Sequence, residues 1–171
     1  GLIRDASLVA WIEEKVDQLL ARDMDALSHV VLRSCEIKGA VVESDEREVG
    51  DRALLNFGHT FGHAIESGMG YGQWLHGEAV AAGMVLAADL SMRLGMISVE
   101  LAVRIRQLIQ RIGLPVEVGG LSASRMLDLM AMDKKAKDGR LRFILLDGLG
   151  SARIRADVPI ETVSKVLSQL N

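Results

Sequence analysis

Apolar residues recur three or four positions apart along most of the chain, and glycine, proline and serine interrupt this pattern at intervals. Such spacing is typical of amphipathic helices with one face toward a core. The pattern predicts helices that begin near Ser7, Asp25, Asn56, Gly77, Ser98, Ser122 or Ser124, and Pro159. The segment from about Gly77 to Leu94 is so rich in small apolar residues that we expect this helix to be central and buried.

One stretch near the C-terminus has a different pattern. Residues 141–146 and 151–155 are short runs separated by Asp147-Gly148-Leu149-Gly150, which is typical of two strands around a glycine turn. No internal repeat or low-complexity tract divides the sequence. We therefore predict a mainly α fold: one multi-helix domain over residues 1–171 with a single small β-hairpin.

Composition narrows the function classes. The 171 residues are 49% hydrophobic and 25% charged with a net charge of -3, as is usual for soluble globular proteins. Because aromatic residues make up only 4% and no basic stripe is present, nucleic acid is not expected as a partner. The uncharged run 79–88 is too short to span a membrane. The lone Cys35 excludes an internal disulfide and suits a reducing compartment, so we expect a cytoplasmic protein.

Histidines are concentrated in one region, where three of the four lie within residues 59–76. On one continuous helix, Asn56, His59, His63 and Glu66 would share a face, which suits the lining of a cleft better than a core. Gly58 and Gly62 would each cost that helix about 1 kcal/mol relative to alanine. Glycines retained at such a cost predict the close approach of another element.

The pair His59 and His63 alone has two interpretations. Histidines four residues apart hold zinc in some metalloproteases, but Thr60 stands where those enzymes carry a catalytic glutamate. For an isolated pair, hydrogen-bonded polar histidines are the more common explanation. A third histidine nearby and several candidate anion ligands favour a metal-and-anion site instead; these ligands are Lys38, Arg52, Lys134 and Lys135. The spacing does not identify a third metal ligand, although Glu66 and Glu78 lie near histidines.

The segment RALLNFGHTFGH (52–63), its continuation to Glu66, and WLHGEAVAAGM (74–84) closely resemble the signature of the 3-dehydroquinate synthase family. The resemblance includes Glu36-Ile37-Lys38, Asp133-Lys134-Lys135 and the hairpin, but it covers only the second, helical half of the family. Family members carry an N-terminal NAD-binding α/β domain before this half. They also carry a Glu-x-x-Lys segment with one zinc ligand, and neither part is present in this sequence.

The resemblance implies roles for individual residues. His59 and His76 would be zinc ligands, with the glutamate that this sequence lacks as the third, and this replaces the pairing of His59 with His63. The implied catalytic and substrate-binding residues are Lys38 and Arg52, which hold anionic groups such as a carboxylate, and Asn56 and His63, which lie by the phosphate. Lys134 or Lys135 would add another cation.

The resemblance also implies a reaction, the conversion of 3-deoxy-arabino-heptulosonate 7-phosphate to 3-dehydroquinate and phosphate in the shikimate pathway. This lyase chemistry uses NAD and a zinc or cobalt ion, in a homodimer that acts on a small phosphorylated sugar acid. The chain alone would then be inactive. Two alternatives stay open at this point: another sugar-phosphate cyclase of the same family, or a non-catalytic helical domain with a relic metal site. A small hydrolase built on the histidine pair is a third.

Overall fold

A computed structural model shows helices packed around a central helix, with a β-hairpin against it; it describes residues 1–45, 50–70, 72–136 and 141–168, and of residues 133–136 the backbone alone. The α-helices are α1 (Ala6–Leu20), α2 (Met24–Ser44), α3 (His59–Met69), α4 (His76–Arg93), α5 (Val99–Arg111), α6 (Ala123–Ala136) and α7 (Ile160–Leu167). A 3-10 helix (Asp51–Asn56) precedes α3, and antiparallel strands β1 (Phe143–Gly148) and β2 (Ser151–Arg155) form the hairpin. The predicted mainly α fold with one hairpin is confirmed.

Helix α4 is the centre of the fold. Most of its side chains are buried, and it contacts α3, α5, α7 and β1, as the small-residue pattern predicts. Near its end, the fully buried Ser91 hydroxyl donates to the Ala87 carbonyl and accepts from the Leu146 N–H at 3.0 Å. This hydroxyl therefore attaches the hairpin to the central helix. No described helix is long and apolar enough to cross a bilayer.

Two of the predicted helix caps are wrong by two residues. Asp5, not Ser7, caps α1, and Asp23, not Asp25, caps α2; each carboxylate accepts the N–H three residues further on, at 2.9 Å. A cap requires a non-helical backbone just before the first turn, and the two predicted residues lie inside that turn. At the last helix, Pro159 is the cap itself and not the first helical residue.

The predicted helix over 56–67 is interrupted in the structure. The 3-10 helix ends at Asn56, and α3 begins only at His59. Between them Gly58 has a φ of 85°, a left-handed conformation that glycine adopts readily and other residues rarely do. Asn56 therefore does not share the helical face of His59, which corrects the expectation of one continuous polar stripe.

Glycines at the contact between α3 and α4 explain why that region tolerates them. A Cβ added to Gly83 would lie 2.2 Å from the Gly58 carbonyl oxygen, and one added to Gly58 would lie 2.7 Å from the Met84 nitrogen. At Gly62 the added atom would be 3.2 Å from the Val80 Cα. The two backbones approach too closely for any side chain to intervene, so the predicted close approach is confirmed.

We expect Gly83→Ala to lower the free energy of unfolding by at least about 1–3 kcal/mol, because the new methyl group must displace backbone. Helix propensity alone would give the opposite sign. Gly39→Ala is the matched control, since no atom lies within 4 Å of a Cβ at this helical position. It should stabilise the chain by about 0.5–1 kcal/mol. Urea unfolding of both variants measures the difference, and equal effects would contradict the close contact.

Candidate metal and substrate site

Three histidines from two helices meet at one place. His59 and His63 occupy the first two turns of α3, and His76 is the first residue of α4. The ring centroids are 5.6 Å apart for His59 and His63, 5.3 Å for His59 and His76, and 6.2 Å for His63 and His76. The close packing of α3 on α4 thus brings together residues that are up to 17 positions apart in the sequence.

Two of the three imidazoles have an acceptor beside Nδ1. The Nδ1 atom of His59 lies 3.4 Å from the carbonyl oxygen of Phe57, and Nδ1 of His76 lies 3.1 Å from Oε2 of Glu66. A neutral imidazole that donates through Nδ1 carries its lone pair on Nε2, where a metal ion binds. These contacts suit His59 and His76, the two histidines to which the family resemblance gives the role of zinc ligands.

Burial lowers the pKa of the His59 imidazole. Its ring is partly buried, and this desolvation is the largest cause that lowers its pKa below the usual 6.5. The neighbouring His63 and His76 lower the pKa further, while the carbonyl of Phe57 opposes the shift. His59 is therefore neutral at pH 7, and neutral imidazole is the form that binds a metal.

The donor set fits a zinc or cobalt ion but is incomplete within the described residues. Nitrogen ligands suit both metals, and catalytic zinc takes three protein ligands with one position left open. In the described part of the chain, no three His, Cys, Asp or Glu side chains are arranged to hold a metal ion. His59 and His76 could supply two ligands, and a third would then have to come from elsewhere.

Three of the predicted anion-binding residues lie on two described elements, the 3-10 helix and α2. Arg52 and Asn56 belong to the 3-10 helix, which leads directly into α3; Arg52 is partly buried, and Asn56 is exposed. The backbone N–H of Arg52 donates to Oδ2 of Asp45 at 3.1 Å. This hydrogen bond holds the start of the 3-10 helix to the end of α2. Both residues therefore lie in the element that precedes the histidine segment, and their roles stay predictions.

Lys38 lies on α2, where its side chain is exposed. It lines a cavity of about 230 Å³ together with Gly1, Leu55, Phe57 and Met84. Met84 belongs to α4, and Phe57 lies just before the junction of α3 and α4, so the cavity borders that junction. His59, His63 and His76 are not among the described residues that line this cavity, so the place of Lys38 in the site stays a prediction.

The side chains of Lys134 and Lys135 lie outside what the structure describes. Their backbone belongs to the last turns of α6, a helix that packs against α3. The choice between the two lysines therefore stays a prediction.

Two contacts escaped the sequence analysis. Thr60, considered there only as a departure from metalloproteases, donates its hydroxyl to the Arg142 carbonyl at 3.0 Å and ties the first turn of α3 to the start of the hairpin. Glu66, weighed there as a metal ligand, contacts His76 across the loop between α3 and α4. No local spacing reveals either pair, because both depend on how separate elements pack.

Known proteins resemble this chain over most of its length. The family model for the 3-dehydroquinate synthase C-terminal region matches residues 1–136. The chain belongs to the 3-dehydroquinate synthase family. It is 53% identical over 169 residues to the 3-dehydroquinate synthase of Nitrosospira multiformis, covering 99% of this chain and 46% of that protein. For the synthase of Nitrosomonas europaea the identity is 54% over 168 residues, covering 98% and 46%. The chain therefore spans less than half the length of these relatives.

Solved structures agree with this family and with its fold. A 2-epi-5-epi-valiolone synthase from Streptomyces hygroscopicus subsp. jinggangensis, with NAD+ and Zn2+ bound, superposes with a TM-score of 0.88 at 26% identity, covering 99% of this chain and 48% of that one. A 2-deoxy-scyllo-inosose synthase complexed with carbaglucose-6-phosphate, NAD+ and Co2+ gives a TM-score of 0.64 at 25% identity, covering 77% and 39%. The helical half of the 3-dehydroquinate synthase family is thus shared with sister cyclases.

We expect His59 to titrate below pH 6.5 in the metal-free chain, since burial disfavours its imidazolium form. The unfolded chain then takes up this proton more readily than the folded one. The contribution of His59 to stability is therefore kept above about pH 6.5 and declines as the pH falls toward the lowered pKa. NMR titration of the ring signals, assigned with a His59→Gln variant, measures it; a midpoint at or above 6.5 would be inconsistent with the packing.

Proposed function

We propose that this chain is the metal- and substrate-binding half of a 3-dehydroquinate synthase, which converts 3-deoxy-arabino-heptulosonate 7-phosphate to 3-dehydroquinate and phosphate. The observation that carries the proposal is the convergence of His59, His63 and His76 in a chain 53% identical to a named synthase. Isolated polar histidines would not need to meet from two helices. The alternative of a relic site gains no support from a cluster in which two imidazoles have acceptors at Nδ1.

In this proposal, Nε2 of His59 and of His76 hold a zinc or cobalt ion, and a glutamate from the preceding part of the family's fold completes the site. A bound divalent ion would polarise the hydroxyl and ketone oxygens of the substrate. The neutral state of His59 and the Glu66 contact of His76 support these assignments. The solved valiolone synthase, with Zn2+ and NAD+ bound, supports the same pair of cofactors.

The polar residues around the metal site would then bind the two anionic ends of the substrate. A guanidinium forms two parallel hydrogen bonds to a carboxylate, and we assign this task to Arg52, with Lys38 as a second cation. Asn56 and His63 would hold the phosphate, with Lys134 or Lys135 as its counter-charge. Most of the catalytic effect would then come from positioning, since the substrate phosphate can itself accept a proton.

The rest of the assignment extends beyond this chain. NAD would be bound mainly by an N-terminal α/β domain, and the complete enzyme would be a cytoplasmic homodimer in the shikimate pathway. The chain alone would be inactive, because it corresponds to 46% of its relatives' length. A sister cyclase is the second candidate, supported by the TM-score of 0.88 to the valiolone synthase, although the identity to that protein is only 26%.

Phosphate release tests the proposal directly. We would join this chain to the N-terminal half of the Nitrosospira multiformis relative and supply NAD, Zn2+ and 3-deoxy-arabino-heptulosonate 7-phosphate. The fusion should release phosphate and the chain alone should not. The intact relative serves as the positive control for the assay.

A folded, metal-loaded fusion that releases no phosphate from this substrate would contradict the proposal. Turnover of a sugar phosphate that lacks a carboxylate, in place of the sugar acid, would instead favour the sister cyclase.

Replacing Arg52 should weaken the binding of the substrate, which KM reports. In the fusion, Arg52→Ala should raise KM for the sugar acid by about tenfold or more, because a charge-assisted hydrogen-bond pair contributes about 1.5–3 kcal/mol. Arg52→Lys should recover only part of the loss, since an ammonium group lacks the planar fork. Arg125→Ala, at an exposed position on α6, is the control and should leave KM unchanged. An unchanged KM for Arg52→Ala would remove the residue from the carboxylate site.

A further inference from the structure

We propose that Glu66 is the positioning residue for the metal-binding imidazole of His76, an inference that rests on the metal role given to His76 above. Oε2 of Glu66 lies 3.1 Å from Nδ1 of His76, and the two residues belong to different helices, α3 and α4. A carboxylate at Nδ1 leaves Nε2 to face a metal. The ring centroid of His59, the other ligand, is 5.3 Å from that of His76.

His76 needs such a partner more than His59 does. The side chain of His76 is 57% exposed, at the first position of α4 and directly after a loop. His59 is held by partial burial and by the carbonyl of Phe57. An exposed side chain loses rotamer entropy when it is fixed, so a ligand in this position binds more tightly if another contact has already oriented it.

The chemistry of a carboxylate determines the direction of the hydrogen bond between Glu66 and His76. An ionised glutamate can only accept hydrogen bonds, so the neutral imidazole beside it must carry its proton on Nδ1. The lone pair is then on Nε2, the nitrogen that would face a metal ion. Glu66 therefore selects both the tautomer and the orientation of the ring. The Glu66 side chain is 30% exposed, so its carboxylate is shielded in part from water.

The regular spacing of α3 explains how Glu66 reaches this place. His59, His63 and Glu66 follow one another at intervals of four and three, which places them on one face of the helix. Glu66 lies furthest along that face, toward the loop that leads into α4. This face of α3 therefore carries the proposed ligand His59 in its first turn. Two turns later it carries Glu66, which orients the other proposed ligand, His76.

The nearby Glu78 has a different task. Its Oε2 accepts the N–H of Leu75 at 2.8 Å and so closes the first turn of α4. Glu78 thus fixes the backbone at the start of the helix, whereas Glu66 fixes the ring of His76. Two carboxylates near one histidine can therefore be distinguished by experiment.

The first measurement is the tautomer of His76 in the metal-free chain. In the chain labelled with 15N at histidine, long-range 1H–15N NMR above pH 7.5 should show His76 protonated at Nδ1. Glu66→Ala should abolish this preference, and Glu78→Gln, which removes the same charge near the same helix end, should retain it. This readout needs neither substrate nor turnover, so it is independent of the proposed reaction. Protonation of wild-type His76 at Nε2 would overturn the proposal.

The second measurement is metal affinity, made by Co2+ titration of the two-part fusion. Glu66→Ala should weaken binding by about 10–100-fold, the usual effect of removing the partner of a metal-bound histidine. Glu66→Gln should lose less, because its amide oxygen still accepts from Nδ1. Glu78→Gln should bind as the unaltered fusion does.

Two outcomes of this titration would overturn the positioning role. One is an affinity unchanged by Glu66→Ala. The other is an equal loss in Glu66→Ala and Glu66→Gln together with a lower coordination number in the Co2+ spectrum, which would make Glu66 a direct ligand. Circular dichroism of each variant identifies one that fails to fold, and in that case the tautomer of the unaltered chain decides.

Discussion

The backbone contact between α3 and α4 is the constraint on which the rest of the site depends. With 2.2 Å between the Gly58 oxygen and a Cβ at Gly83, the helices can meet in this way only if neither carries a side chain there. Gly58 also precedes the first residue of α3 and has a positive φ, so this one residue allows both the close approach and the turn into α3. Packing at this junction therefore determines where the histidines of α3 lie relative to His76.

Much of the fold could be predicted because it follows from local patterns. The buried helix α4, the hairpin and the cap at Ser98 all come from periodicity and from residues with strong conformational preferences. Local patterns do not determine where a helix begins, since Asp5 and Ser7 are both good caps and only the backbone conformation decides between them. The interruption at Gly58 was missed because apolar spacing continues through it, while the residue's left-handed φ is a property of the folded chain.

The candidate site, like the fold, has features that local sequence patterns predict and features that depend on packing. The density of histidines indicated a cluster, but the choice of His59 and His76 as ligands came from family resemblance, because helical spacing favours His63 instead. Partners that lie across a loop, such as Glu66 and His76, have no signature in the sequence. Their contact depends on the angle between two helices, and that angle depends on the packing of small residues.

The two candidate ligands reach the same chemical state by different physical means. Burial removes the proton from His59, and an acceptor-only carboxylate places the proton of His76 on the nitrogen away from the metal. A metal ion would then have to displace no proton from His59, and it would find the ring of His76 already oriented. If the proposed third ligand comes from another part of the family's fold, the site would bind its metal firmly only when the two parts are together.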